Sequence, residues 1–123
     1  MKTSRRRLGD LGEEIAAQEL ERRGHRILRR NWRHGHLEID IISRDRKGLH
    51  FVEVKSRTAP VSASPEDNVT PSKQAKLASA ALFFLNEARP GDAEVFFDII
   101  TVVFDGGRTD IKYYEQAFIP TYF

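Results

Sequence analysis

The chain has 123 residues, 40% hydrophobic and 31% charged, with a formal net charge of +2 and no cysteine. That length suits one domain with its own core, so residues 1–123 are read as a single unit. No apolar run approaches the roughly 20 residues of a membrane helix, and the basic start meets acids where an export signal would be apolar. Without cysteine there is neither a disulfide framework nor a thiolate metal site, so a cytoplasmic location is expected.

Leu8, Leu11, Ile15, Ala16 and Leu20 recur at helical spacing and Gly24 follows as a stop, which predicts a first helix from Leu8 to Arg23. "HRILRRNW" is a short strand interrupted by arginine. Residues 1–34 hold ten Lys/Arg, nine of them Arg, against five Asp/Glu, whereas the remainder is net acidic. A planar guanidinium fork suits phosphate, so this basic third points to a polyanion; a solvated basic face is the plainer alternative.

Two strands follow, His36 to Arg44 and Leu49 to Arg57, joined through "DRKG", whose Asp and Gly suit a tight turn. Alternation places Phe51, Glu53 and Lys55 on one face and Val52 and Val54 on the other, with Glu38, Asp40 and Ile42 opposite to Leu37, Ile39 and Ile41. An even loop centred between Arg46 and Lys47 sets Asp40 across from Glu53 and Glu38 across from Lys55. A bulge at Gly48 would shift the register by one and part the two acids. Opposed carboxylates destabilise a sheet unless something offsets them. A hard cation such as Mg²⁺ does so, taking one or two carboxylates plus substrate phosphate, and Lys55 beside it can steady an attacking water or transition-state charge. The plain alternative is an edge hairpin on which Lys55 pairs with Glu38 or Glu53.

"TAPVSASPEDN" reads as a surface loop, after which Thr70 caps a second helix with Pro71 at its first position and a stripe of Leu77, Ala80, Ala81, Phe84, Leu85 and Ala88. Lys73, a cation in the first turn of that helix, suits a phosphate contact or a snorkelling side chain. "EVFFDIITVVF" is apolar enough to be covered on both faces, "GG" turns, and "TDIKYYEQAFI" is a last strand. Asp98 within the buried strand calls for a structural partner rather than a metal role. His34 and His36 lack a third ligand at zinc spacing and are read as solvent-facing. Tyr113, Tyr114, Phe118, Tyr122 and Phe123 are assigned to core and edge packing, with base stacking or a homodimer contact as the other uses.

The ordered set "GEEIAAQELERRGHRILRRNWR", "LEIDIISRD", "FVEVKSR", "PSKQAKLASAALFFL" and "FDIITV" resembles the small bacterial YraN-like family, which is similar to Holliday junction resolvases of the PD-(D/E)xK nuclease superfamily. The resemblance runs from Leu8 to about Phe118. It implies an α/β restriction-endonuclease-like domain, with a mixed five-stranded sheet flanked by helices. It also implies Asp40 as metal-binding acid, Glu53 and Lys55 as the acid and lysine of E-x-K, and Glu13 as a helical acid. Glu13 shares a helical row with Gly9, Ala16 and Leu20, which supports the last transfer. The family has Gly where this chain has Leu37, and tends to have Arg where it has Phe96.

The expected activity is therefore Mg²⁺-dependent hydrolysis of DNA phosphodiesters, with Mn²⁺ as substitute and branched DNA a candidate substrate. Asp40, Glu53 and the Val54 carbonyl would hold metal, with Glu13 assisting. Arg5, Arg6, Arg7, Arg30, Arg33, Arg57 and Lys73 would hold phosphates. The alternative is a binding or partner-recruiting module of the same fold that turns over no substrate.

Overall fold

The apolar pattern dictates two layers of helix around a sheet covered on both faces. The structure, a computed structural model, describes residues 4–61 and 69–120. Its elements are α1 (Ser4–Arg22), β1 (Arg26–His34), β2 (Leu37–Arg44), β3 (Gly48–Thr58), α2 (Pro71–Ala88), β4 (Glu94–Asp105) and β5 (Arg108–Phe118). The loop read over residues 58–68 lies mostly outside the described residues, as do Lys2, Tyr122 and Phe123. The fold is α/β, a five-stranded mixed sheet in the order β1-β2-β3-β4-β5, with β3 and β4 parallel and every other pair antiparallel. A parallel pair needs a crossover, and α2 supplies it. No helix among the described residues is long and apolar enough to cross a membrane.

Two clusters form the core. Ala16, Ala17 and Leu20 of α1 pack on Ile41, Val52, Ile100 and Val102, while Leu77, Ala80, Ala81 and Phe84 of α2 pack on Ile42, Phe51, Phe97 and Ile99. The helix ends follow local chemistry. Gly24 takes φ 96° after α1, and Thr70 Oγ1 accepts from Lys73 N at 3.2 Å to cap α2.

The β2–β3 turn settles the register. Asp45 Oδ1 accepts from Lys47 N and Gly48 N, and Asp45 N donates to Gly48 O, which joins the strands in the pairing Ile42↔Phe51 and Ile41↔Val52. This is the even-loop register, with no one-residue shift at Gly48, but the pairing stops at Ile41↔Val52, so the expected pairs of Asp40 with Glu53 and of Glu38 with Lys55 are not formed. Gly48 serves another need, since a Cβ there would fall 2.3 Å from the Glu94 carbonyl oxygen on β4.

A further expectation fails. Ile39 does not share the side of Ile41; it packs under α2 with Ile42, so alternation breaks at Asp40. The neighbouring strand breaks at the same level. Asn31 has φ 50°, Trp32 opposite Ile39 packs on Phe84 of α2, and Arg30 opposite Ile41 reaches Glu14 of α1. A residue in left-handed conformation redirects the chain, and both strands change face there.

Candidate active site

The β2–β3 pairing ends at Ile41↔Val52, although β3 continues on β4 as far as Thr58↔Phe104. Asp40 then spends its carboxylate on the strand it has left, accepting from Val54 N at 2.8 Å. This fork opens a cleft of about 810 Å³ lined by Glu13, Asp40, Glu53, Val54, Ser56, Arg57, Thr58, Leu8 and Gly9. Three carboxylates predicted from different elements thus share one cavity. Glu13 reaches it because α1 lies close on β3 at Gly12, where a Cβ would stand 1.8 Å from Ser56 Oγ. Glu14 points away to Arg30 at 2.6 Å.

The electrostatics of the cleft are those of crowded acids. Burial, then the neighbouring Glu53, lifts the Asp40 carboxyl well above the usual range against the bond from Val54, and Glu13 and Glu38 add to the rise. Burial also raises Glu13, opposed by a hydrogen bond to Asn31. Like charges that resist ionising together make a place for a cation, and an all-oxygen donor set of carboxylates fits hard Mg²⁺. The residues therefore fit the implied metal: Asp40 and Glu53 would hold it, with Glu13 lining the same wall. Among the described residues these three acids do not form a cluster with all ligand oxygens within 4.8 Å; His25, Asp45 and His50 do.

Beside the acids stands a lysine pair that the sequence did not disclose. Lys73 Nζ lies 3.1 Å from Glu53 Oε1, and Lys55, buried to 8% exposure, shares a hydrogen bond with Lys73. Burial, then Lys73, lowers the Lys55 pKa to about 8. Burial works against charge on Lys73 too, but its bonds to Lys55 and Glu53 win and raise its pKa. The pair thus splits, with Lys55 shifted towards its neutral form and Lys73 towards its charged one.

The arginines are spread more widely than the acids. Arg57 lines the cleft, exposed, with Nη1 on the Ser56 carbonyl; Arg6 and Arg7 are exposed near the start of α1, and the Arg5 side chain lies outside the described ones. Arg30 pairs with Glu14, and Arg33 lies 3.5 Å from Glu38. His34 and His36 are exposed as expected, and His34 stacks on Phe83 with ring centroids 3.8 Å apart. Asp98, fully buried, accepts from His50 Nδ1 at 2.6 Å, from Gln116 N at 2.8 Å and from the Tyr113 hydroxyl, the structural role foreseen for it.

Residues 12–102 match the model of a family described as Uncharacterised protein family UPF0102. The chain belongs to the UPF0102 family. A UPF0102 protein of Geobacter metallireducens is 42% identical over 94% of each chain, and one of Bacteroides fragilis is 40% identical over 94% of this chain and 95% of that one. A third UPF0102 protein, from Nitratidesulfovibrio vulgaris, is 41% identical over 96% of this chain and 88% of its own. Among solved structures, Pyrococcus furiosus SfsA in complex with Ca²⁺ is similar at 23% identity and a TM-score of 0.38, over 89% of this chain and 63% of that chain.

Proposed function

We propose that this UPF0102 protein is a Mg²⁺-dependent endonuclease that hydrolyses DNA phosphodiesters in the β2–β3 fork. One observation carries the reading: Glu13, Asp40 and Glu53 line one cleft while Lys55, next to Glu53 on the same face of β3, has its pKa lowered to about 8. Bound Mg²⁺ would supply charge neutralisation at phosphate and polarise a water. Asp40 and Glu53 hold the place for it, and Val54 N fixes the Asp40 carboxylate in direction. Neutral Lys55 accepts a proton from the attacking water, and Lys73, keeping its charge, balances the negative wall beside the scissile phosphate. Arg57 on the cleft wall and the exposed Arg6 and Arg7 at the start of α1 would hold backbone phosphates.

A second reading is favoured by the ion pair itself. Lys73 occupies a Glu53 oxygen at 3.1 Å, as it would in a domain that binds nucleic acid and leaves it intact. The two are separated by screening cleavage of linear, flap, junction and single-stranded DNA and of RNA, in Mg²⁺ and Mn²⁺, with the parent chain and Glu53→Ala. Metal-dependent cleavage by the parent alone is the expected result. Salt-sensitive binding with no cleavage of any substrate would move the assignment to the binding module.

A further inference from the structure

At the other end of the hairpin, on the opposite face of β3, the fold assembles a second cluster. His25 follows the Gly24 stop of α1 and donates its backbone N–H to Leu20 O at 2.9 Å. Asp45 opens the β2–β3 turn, and His50 is the third residue of β3. Three residues separate His50 from Glu53, about 10 Å along a strand, and the odd spacing puts the side chains on opposite faces. The cleft and this cluster are separate places.

We propose that His25, Asp45 and His50 form a site for one Zn²⁺ ion. His50 Nε2 lies 2.8 Å from Asp45 Oδ1, and His25 Nε2 lies 3.5 Å from Asp45 Oδ2. Three ligand atoms, one from each residue, fall within 4.8 Å of one another. Ligands held about 2.0–2.1 Å from a tetrahedral zinc sit roughly 3.3 Å apart, so the two distances straddle what the ion requires. Two imidazole nitrogens and one carboxylate select a borderline metal such as zinc over Mg²⁺.

The outer ring atoms strengthen the assignment. A zinc-ligating histidine fixes its orientation by engaging its other nitrogen with a carboxylate, carbonyl or similar acceptor. Here His50 Nδ1 is 2.6 Å from Asp98 Oδ2, and His25 Nδ1 is 2.9 Å from Ser43 Oγ. Asp98 is itself immobilised by Tyr113 and Gln116 N. Both inner nitrogens therefore face Asp45 with their rings already locked. Both nitrogens of His50 face carboxylates, and zinc at Nε2 would take the place of any proton there, which leaves to solvent. The two histidine side chains are 2% and 0% exposed and Asp45 is 14% exposed, so the ion enters along Asp45 and water takes the fourth position. The bound ion would tie the end of α1 to the hairpin turn and, through Asp98, to β4 and β5.

The test uses the full chain, stripped by chelator and returned to buffered Zn²⁺. The expected result is one zinc per chain, X-ray absorption with imidazole scattering that an all-oxygen cleft cannot give, and a melting temperature raised by at least roughly 5 °C at zinc well above its dissociation constant. Asp45→Asn keeps an oxygen for the turn amides of Lys47 and Gly48, so it should fold and bind zinc at least about 10-fold more weakly. His50→Gln should do the same, with circular dichroism as the control for folding. Zinc absent from the parent chain, bound through oxygen alone, or held as tightly by folded Asp45→Asn overturns the proposal.

Discussion

At the turn of the β2–β3 hairpin, Asp45 and Asp98 flank His50 and accept from both of its ring nitrogens; at the fork, Asp40 accepts from Val54 N and has Glu53, Glu13 and Glu38 for company. The electrostatics diverge accordingly. Burial opposes the charge of Asp45, yet its bonds from His50 and the turn amides prevail and lower its pKa, whereas burial and Glu53 drive Asp40 upward. A buried acid with partners holds a fold together, and a buried acid among acids waits for something the chain does not supply.

The largest effect expected at the turn end comes from removing a partner. Asp98→Ala leaves His50 Nδ1, the Tyr113 hydroxyl and Gln116 N without their shared acceptor in the core and should cost about 3–5 kcal/mol, read from chemical denaturation, without altering the acids of the cleft. A loss below about 1 kcal/mol would show that the two ends differ less than their geometry says.

At the fork the comparison is kinetic. Lys55→Met should lower single-turnover cleavage at least about 100-fold while binding persists. The parent rate should climb with pH and level off above about 8, as Lys55 loses its proton. Since the Lys73 contact is one cause of the lowered value, Lys73→Met should move the inflection upward. An inflection indifferent to Lys73 would sever the pair.

The smallest effect is opposite in sign. A carboxylate whose folded pKa is raised binds protons more readily folded than unfolded, so it weakens the fold as pH rises above its ordinary value near 3.8. Asp40→Asn, in metal-free buffer, should therefore stabilise the protein by on the order of 1 kcal/mol at neutral pH. The gain should vanish as pH falls below the ordinary carboxylate range; a stability loss at pH 7 would place Asp40 with the partnered acids.

Helices and strands were legible because each rests on local chemistry, such as the Gly24 stop and the Thr70 cap, whereas the hairpin register stood open between an even loop and a Gly48 bulge until the bonds of the Asp45 side chain decided it. Asp40 and Glu53 were singled out by strand alternation and the family resemblance, and Glu13 by its helical row and that resemblance. The change of face at Asp40 was not, because it depends on Asn31 adopting φ 50° in another strand, and nothing in the composition of β2 records it. The Lys55–Lys73 contact joins residues across the segment between β3 and α2, and His25 meets His50 only after the sheet has formed. Along the chain, His34 and His36 are the histidines spaced closely enough to suggest a metal site, and they lack a third ligand. His50 within the apolar run "LHFV" was the signal available, His25 between Gly24 and Arg26 gave none, and packing alone brings them together.

Gly12 has a consequence beyond packing. The room that a Cβ would need is already filled by Ser56 Oγ, 1.8 Å away, and Ser56 lies on the wall of the cleft one residue beyond Lys55. Residues 12 and 56 thus act as a shim between helix and sheet, fixing how far Glu13 is inserted. Neither need touch a substrate to govern the site. Bulk added at residue 12 must displace the Ser56 side chain or lift the helix, and a lifted helix would keep every acid while losing their common focus.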